Sequence, residues 1–596
     1  MSLENSIKEE TTIKSQRSIV FRCIVVGLGG FLYGYVLSEL TILSGVLKIK
    51  LSFQGQYFSQ SQTAIVGIMS LGACLICLAS DKLINKYGRR NYIIASDIIF
   101  LIGTIVGITY EFFEQISFLL AARFIMGIAI GMNSNVVSMY IREISPEIIS
   151  GQNGSIFQIQ INLGIISGIA LNFAEDYGKY YVQANLCTNN NIDFTINDQC
   201  KDINSSRWWV FVIAFPALFS VIRLLILTFK YKLDTPYYYF SVEKFEQGIE
   251  ILKELYKEKY VLSECQNILA ACPKKVRLSY LSYRNRQQQQ KELPSNDQVN
   301  AAEYYSQGNQ KNIDITSNSN LNYDNDDEYF NEYKNQYPLE GVDIYSNSQQ
   351  DYNYAQDENQ IQESFTQKAK ELKQKSLYKR MRRGMILNLL QQLTGINYII
   401  QYTCTILQNL LNDNENNIKN NIDHKSFIFF YRSSNILTEI VLLSNIFLLM
   451  AAFVGSFLNK SFGRRNYLFG GYLICGFLHS IFAIVSKNNS SGIFQAVFIT
   501  VFVFVFYGTF NCSIGPVTWI YTSDILKGKY LFYSIGCNWF GVFLASLMYL
   551  NDDPDKQWIN FGIFSFFCFV GAVYSYKKII ETEGKKYFQI IKEYAE

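Results

Sequence analysis

Apolar runs long enough to cross a bilayer recur along this chain, separated by short polar or basic stretches. They fall near 19–45, 62–80, 92–110, 117–139, 153–174, 208–229, 385–411, 433–456, 466–486, 493–513, 531–550 and 558–576. A hydrocarbon core takes about 20 residues of helix, so the pattern predicts an all-α polytopic membrane protein with about twelve transmembrane helices. The first run follows a polar, mixed-charge leader and is longer than a signal-peptide core, which makes it a retained span. One long polar interval, 231–383, separates the sixth and seventh runs. It opens with Val242 to Tyr256, where Phe245, Ile249, Ile251, Leu252 and Leu255 recur among charges as on an amphipathic helix. From about 285 to 370 it is dominated by Gln, Asn, Ser, Asp and Tyr. So few apolar side chains cannot offset chain entropy, and disorder is expected there.

Three carboxamides interrupt the seventh run, in Gln391-Gln392-Leu393-Thr394-Gly395-Ile396-Asn397. Polar groups in hydrocarbon are costly unless satisfied, so they turn toward the bundle interior or a wet cavity. An amide donates and accepts without charge, which suits a neutral ligand covered in hydroxyls; binding of neighbouring helices is the alternative. On a regular helix the three would not share a face. Thr394-Gly395 offers a place to loosen the helix, and half-helices near the midplane are a common way to build a transport site. Glu39 is an ionisable group inside the first run, either a functional carboxylate or one wetted near a mouth. The first run also carries Gly27, Gly29, Gly30 and Gly34, small residues that permit close helix approach.

Composition narrows the classes. Of 596 residues, 17% are charged, below the quarter usual in soluble domains, and the formal net charge is only +3. Nothing suggests a nucleic-acid partner or a nucleotide fingerprint. With His424 and His479 the only histidines, no His-based metal site and no cofactor are expected. Cys74 and Cys77 form a CxxC, but inside a span they read as packing residues. No nucleophile–base constellation points to an enzyme.

Asp81-Lys82-Leu83-Ile84-Asn85-Lys86-Tyr87-Gly88-Arg89-Arg90-Asn91 is echoed half a chain later by Asn459-Lys460-Ser461-Phe462-Gly463-Arg464-Arg465-Asn466. Such an internal repeat predicts two similar six-helix halves, 18–230 and 384–577. They are flanked by a segment 1–17 and a tail 578–596, and joined by 231–383. Basic short loops stay cytoplasmic, which places both termini there. The sequons at Asn204 and Asn489, and Cys187 with Cys200, then fall in outer loops, where glycosylation and a disulfide are possible.

The paired GRR loops resemble the signature of the major facilitator superfamily, and further segments resemble its sugar-porter branch. Arg123 to Gly131, continuing to Tyr140-Ile141-Arg142-Glu143-Ile144-Ser145-Pro146, is similar to the fourth-span pattern. Phe215-Pro216-Ala217 and Leu233-Asp234-Thr235-Pro236 resemble the sixth span and its PESPR exit. Gln391 to Asn397 is similar to QQxxGIN, Gly515-Pro516-Val517-Thr518-Trp519 with Asp524 to the tenth-span GPxxW…E, and Glu581 to Lys585 to PETKG. The resemblance implies a hexose-type transporter of the major facilitator fold. Its pocket would use Gln158, Gln391, Gln392, Asn397, Trp519, Asn511 and Asn538, with ordinary helix packing as the alternative for each.

The resemblance also implies a cytoplasmic gate in which Arg89 and Arg90 meet Glu143, and Arg464 and Arg465 meet Asp524. Four positions depart from the pattern beside the pocket and gate, Arg142 among them. The acidic pocket neighbour becomes Asn511, the eighth-span asparagine falls on Leu448 with Asn445 three residues earlier, and Ser150 stands where an Arg is usual. Proton-driven relatives resemble Gly-Tyr-Asp in span one; here Val36 follows Gly34-Tyr35, which favours facilitated diffusion. Glu39, one turn on, could serve with Arg123 in a proton-coupled alternative for a sugar or a polyol such as inositol. A non-transporting nutrient sensor on the same fold is a further alternative. The partners implied are a monosaccharide, the lipid bilayer and, in the coupled alternative, protons. A monomer in the plasma membrane is the expectation, with an endomembrane as the alternative.

Overall fold

The structure is a computed structural model that describes residues 13–40, 47, 58–173, 207–270, 272–292, 374–400, 439–455, 462–487, 493–548, 557–585 and 587–595. Ten of its helices are long and apolar enough to cross a bilayer, and an eleventh, Glu439–Gly455, is shorter. The helix over 374–392 and 396–400 makes the start of the expected seventh span. The twelve-run expectation thus finds a helix at every position. The sequons, the Cys187–Cys200 loop and residues 293–370 lie outside the described residues.

The described residues fall into two compact units, one drawn from 15–234 and 374–595, the other from 13–14 and 235–292. In the first, span one (Gln16–Ser38) packs on span five (Glu147–Phe173), and span four (Ile116–Ile144) on spans two (Phe58–Tyr87) and three (Arg89–Ile108). Span six (Trp208–Phe229) closes against spans three and one. Span nine (Arg464–Lys487) packs on span twelve (Gln557–Lys578), and span eleven (Lys529–Leu547) crosses to span two of the other half. The glycines of span one serve as expected: Gly30 lies against Phe157 and Gly34 against the Ile161 backbone of span five, where a Cβ would collide.

The first basic loop shrinks to one residue. Span two stays helical to Tyr87 and span three begins at Arg89, so Gly88, at φ 89°, makes the whole turn. Gly463, at φ 74°, likewise stands immediately before the first residue of span nine. A side chain with a Cβ rarely adopts that backbone, which explains the repeated glycine. Span ten also runs longer than its hydrophobic run suggests. Ile493–Cys512 continues through Ser513 into Ile514–Ile525, carrying the GPxxW segment within the span.

The second unit is a small helical bundle. The amphipathic helix forms at Phe245–Leu255, followed by Glu258–Ala270 and Lys274–Glu292, around Phe240, Phe245, Leu252, Val261, Cys265, Leu269, Cys272, Val276 and Tyr280. The last helix extends past 285, where disorder was expected, because Val276 and Tyr280 anchor it in this core. Residues 13–14 join the unit by strand-like bonds, Ile13 bridging Tyr256 and the Lys14 N–H donating to the Leu255 carbonyl at 3.0 Å.

Candidate functional site

The seventh span breaks where its sequence allows. The helix stops at Gln392, Leu393-Thr394-Gly395 form a turn with Gly395 at φ 80°, and helix resumes at Ile396. Phe564 packs where a Cβ on Gly395 would lie, so both backbone and space require glycine. The break brings Gln391, Gln392 and Asn397 to one side, which a regular helix would not.

All three line one cavity, whose empty space with its open mouth included is about 450 Å³. Gln158, Asn511 and Trp519 line it too. Six of the seven residues named from sequence therefore meet in one place. Asn538 is the exception. It is fully buried behind the lining, donating to Gln391 Oε1 at 2.7 Å and the Asn388 carbonyl at 3.2 Å, and accepting from Gln392 Nε2 at 2.9 Å. It orients the two glutamines rather than facing the space.

The amides are wired to one another. Gln391 Nε2 donates to the Gly515 carbonyl at 2.9 Å, tying span seven to the GPxxW turn. Asn397 Nδ2 donates to Gln392 Oε1 at 2.6 Å, and Gln158 Nε2 to Asn162 Oδ1 at 3.3 Å. Fixed amides of this kind hold their remaining donor and acceptor directions still for a ligand. Around them stand Tyr33, Phe510 and Trp519, aromatic faces suited to C–H contact.

The sequence reading missed Tyr33, Asn162 and Phe510. Asn162 was within reach, one helical turn from Gln158. Leu448 lines the cavity, while Asn445 turns back to the Val441 carbonyl at 2.8 Å and is absent from the lining. Three residues' spacing could have turned Asn445 the same way as Leu448, but it does not reach the lining.

A family model described as "Sugar (and other) transporter" matches residues 22–294 and 333–594. The chain belongs to this family. Among its relatives are "Hexose transporter 1" of Toxoplasma gondii, 26% identical over 260 residues, and the "Galactose-proton symporter" of Escherichia coli strain K12, 24% identical over 235 residues. Those alignments cover 42% of both chains in the first case, and 39% of this chain and 43% of the relative in the second. The chain thus spans under half the length of these curated relatives. The solved proton:xylose symporter XylE bound to 6-bromo-6-deoxy-D-glucose is 16% identical, with a TM-score of 0.61 over 97% of this chain and 100% of that one. The fold is that of the major facilitator superfamily.

In this sugar-transporter family member, the basic-loop charges form two matching clusters. Arg89 Nη2 reaches Glu143 Oε1 at 3.0 Å, and Arg464 pairs with Asp524. Both pairs lie inside one half rather than between halves. Arg90 and Arg465 do not follow the expected gate pattern. Arg90 Nε donates to the Tyr231 carbonyl at 2.8 Å and the Leu227 carbonyl at 3.0 Å, and Arg465 Nη2 to the Tyr576 carbonyl at 2.6 Å. Each neutralises the carbonyl end of the sixth or twelfth span, where free carbonyls and the helix dipole draw a cation. At this end Arg142 adds a hydrogen bond between the halves to the packing of spans two and eleven, its Nη1 donating to the Ser523 carbonyl at 3.1 Å.

Glu39, at the C-cap of span one, is 1% exposed, and its Oε1 lies 2.6 Å from Arg123 Nη2. Arg123 Nη1 also donates to the Val36 carbonyl at 3.2 Å. The carboxylate one turn beyond Val36 therefore meets the fourth-span arginine.

Proposed function

We propose that this chain carries a neutral monosaccharide of the hexose class across a membrane by alternating access. One observation carries the reading: Gln158, Gln391, Gln392, Asn397 and Asn511 converge with Trp519 on a single cavity. These groups exchange a sugar's water-facing hydrogen bonds for amide partners and offer aromatic surface to its C–H faces. The hexose, glucose and galactose named for its relatives support the same substrate class. In this reading the basic-loop end is cytoplasmic, as the excess of Lys and Arg there favours. Uptake of a panel of labelled sugars by the purified protein in liposomes tests it. Saturable uptake of a hexose, lost in Gln391→Ala, supports the proposal; a protein that moves no sugar, as a pure sensor would, sinks it.

A second reading, that sugar movement is linked to protons, is favoured by the Glu39–Arg123 contact. A buried carboxylate beside a guanidinium can take a proton and release the arginine, the kind of event that biases one packing over another. An inward proton gradient should then accelerate uptake several-fold. Glu39→Gln should abolish that acceleration while leaving exchange of sugar between equal concentrations. Uptake indifferent to the gradient in the unaltered protein would return the assignment to facilitated diffusion, which Val36 favours.

A further inference from the structure

We propose that His479 is a positioning residue for the substrate cavity, acting through the broken turn of span seven; the role rests on the sugar-carrier reading above. His479 belongs to span nine, is fully buried, and does not line the cavity. Its Nε2 lies 2.9 Å from the Thr394 carbonyl, in the middle of the break. There the Gly395 N–H pairs back to the Gln392 carbonyl, and the ladder resumes with the Ile399 N–H on the Gly395 carbonyl. The Thr394 carbonyl stands between these two ladders, and the imidazole supplies its partner. A carbonyl only accepts, so Nε2 must carry the hydrogen and Nδ1 is bare. Among the described residues, Nδ1 is indeed buried with no hydrogen-bond partner. Phe506, Phe502, Phe561 and Phe564 surround the ring at centroid distances of 4.8 to 5.8 Å.

Phe564 also packs on Gly395, so one aromatic cluster holds both the imidazole and the turn it braces. The consequence reaches the ligand. Gln391 and Gln392 precede the turn, and Ile396, Asn397 and Ile400 follow it, all facing the cavity. The angle at Thr394-Gly395 sets where Asn397 meets Gln392. A freed, buried carbonyl would cost more than the bond itself is worth and would drive the turn to rearrange. An imidazole whose one hydrogen bond among the described residues goes to a backbone oxygen is an unusual choice for packing alone, which a phenylalanine would fill more cheaply.

Uptake kinetics in liposomes, with a sugar the unaltered protein carries, test the role. His479→Phe keeps the ring and removes the donor; KM should rise about five- to tenfold, with kcat within about twofold. His479→Gln places its amide nitrogen about as far out as Nε2 and should restore KM to within about twofold, whereas the shorter His479→Asn should not. If His479→Phe fails to fold, the contrast between Gln and Asn carries the test alone. An unchanged KM in His479→Phe, or equal KM values for Gln and Asn, overturns the role while leaving the carrier reading intact. An unaltered protein that moves no sugar overturns both.

Discussion

Asp97 in span three and Arg223 in span six form an ion pair with no solvent exposure on either side chain. Arg223 Nε lies 3.0 Å from both carboxylate oxygens, Ser220 Oγ donates to Oδ1 at 3.0 Å, and Arg223 Nη1 reaches the Val26 carbonyl of span one at 3.3 Å. The guanidinium occupies the space that a Cβ on Gly29 would need. Three spans thus meet on one charge pair inside the N-terminal half. Removing one partner strands the other in low dielectric, which typically costs about 3–5 kcal/mol, whereas replacing both with apolar side chains is far milder. Asp97→Asn is therefore expected to lower the thermal unfolding midpoint in detergent sharply. Asp97→Leu with Arg223→Met should recover most of the loss; a double variant as unstable as the single one would argue against the pair. Both residues are visible in the sequence as lone charges in apolar runs. Their partnership is not, because it depends on which faces of spans three and six turn toward each other. The span-seven amides of the cavity were legible for the opposite reason, since they sit in one short segment whose glycine announces the break. Asn538 illustrates the limit: sequence placed it near the site, and only the packing shows that it acts on the glutamines from behind.

At the scale of elements, the repeated GRR segments prove to be two copies of one helix start. Each begins with a left-handed glycine, and each has its first backbone N–H groups met by a carboxylate from just past the last span of its own half. Asp234 Oδ2 accepts from the Arg90 N–H at 3.0 Å. Glu581 accepts from the N–H groups of Arg464 at 2.9 Å and Arg465 at 3.1 Å, as well as those of Thr582 and Glu583. A carboxylate at a helix N-terminus satisfies orphan donors and complements the dipole. Burial alone would raise the Glu581 carboxyl, but these four backbone N–H groups outweigh it and hold its pKa below the ordinary value. A depressed folded-state pKa contributes stability above the unfolded value, and that contribution is lost as pH falls through the folded one. Glu581→Gln should cost about 1 kcal/mol near neutral pH, discounted for partial exposure. The gap should close below about pH 4, where the unaltered carboxyl is protonated too. Unfolding midpoints of the two proteins that stay equally separated from neutral to acid pH would exclude this cap. The repeat was readable from sequence as repetition. Its purpose was not, since the capping residues lie more than a hundred positions away.

Across the whole molecule, a carrier must keep two packings close in free energy. The ion pairs Arg89–Glu143 and Arg464–Asp524 lie within single halves, so on the carrier reading proposed above they would brace each half as a unit. Arg142 instead reaches across, donating to the Ser523 carbonyl in the last turn of span ten. Carbonyls in that turn lack helical partners and carry the negative end of the dipole, so a guanidinium is well matched to them. Within the same half as span ten, Arg380 of span seven donates to the neighbouring Ile525 carbonyl at 2.9 Å. Span ten bears Trp519 a turn earlier, which links closure at the basic-loop end to the cavity. An exposed bond of this kind is worth about 1 kcal/mol, and on a nearly balanced equilibrium that is a several-fold change in population. Arg142→Ala should therefore open the basic-loop end. A cysteine placed at Ile161, which lines the cavity, should react several-fold faster with an impermeant thiol reagent added on that side, read against the same variant with Arg142 intact. Asp524→Asn should act in the same direction but less, since it loosens Arg464 within one half and reaches the boundary only through the adjoining Ser523. Equal labelling rates with and without Arg142 would show that closure rests on packing between spans two and eleven and owes nothing to this arginine.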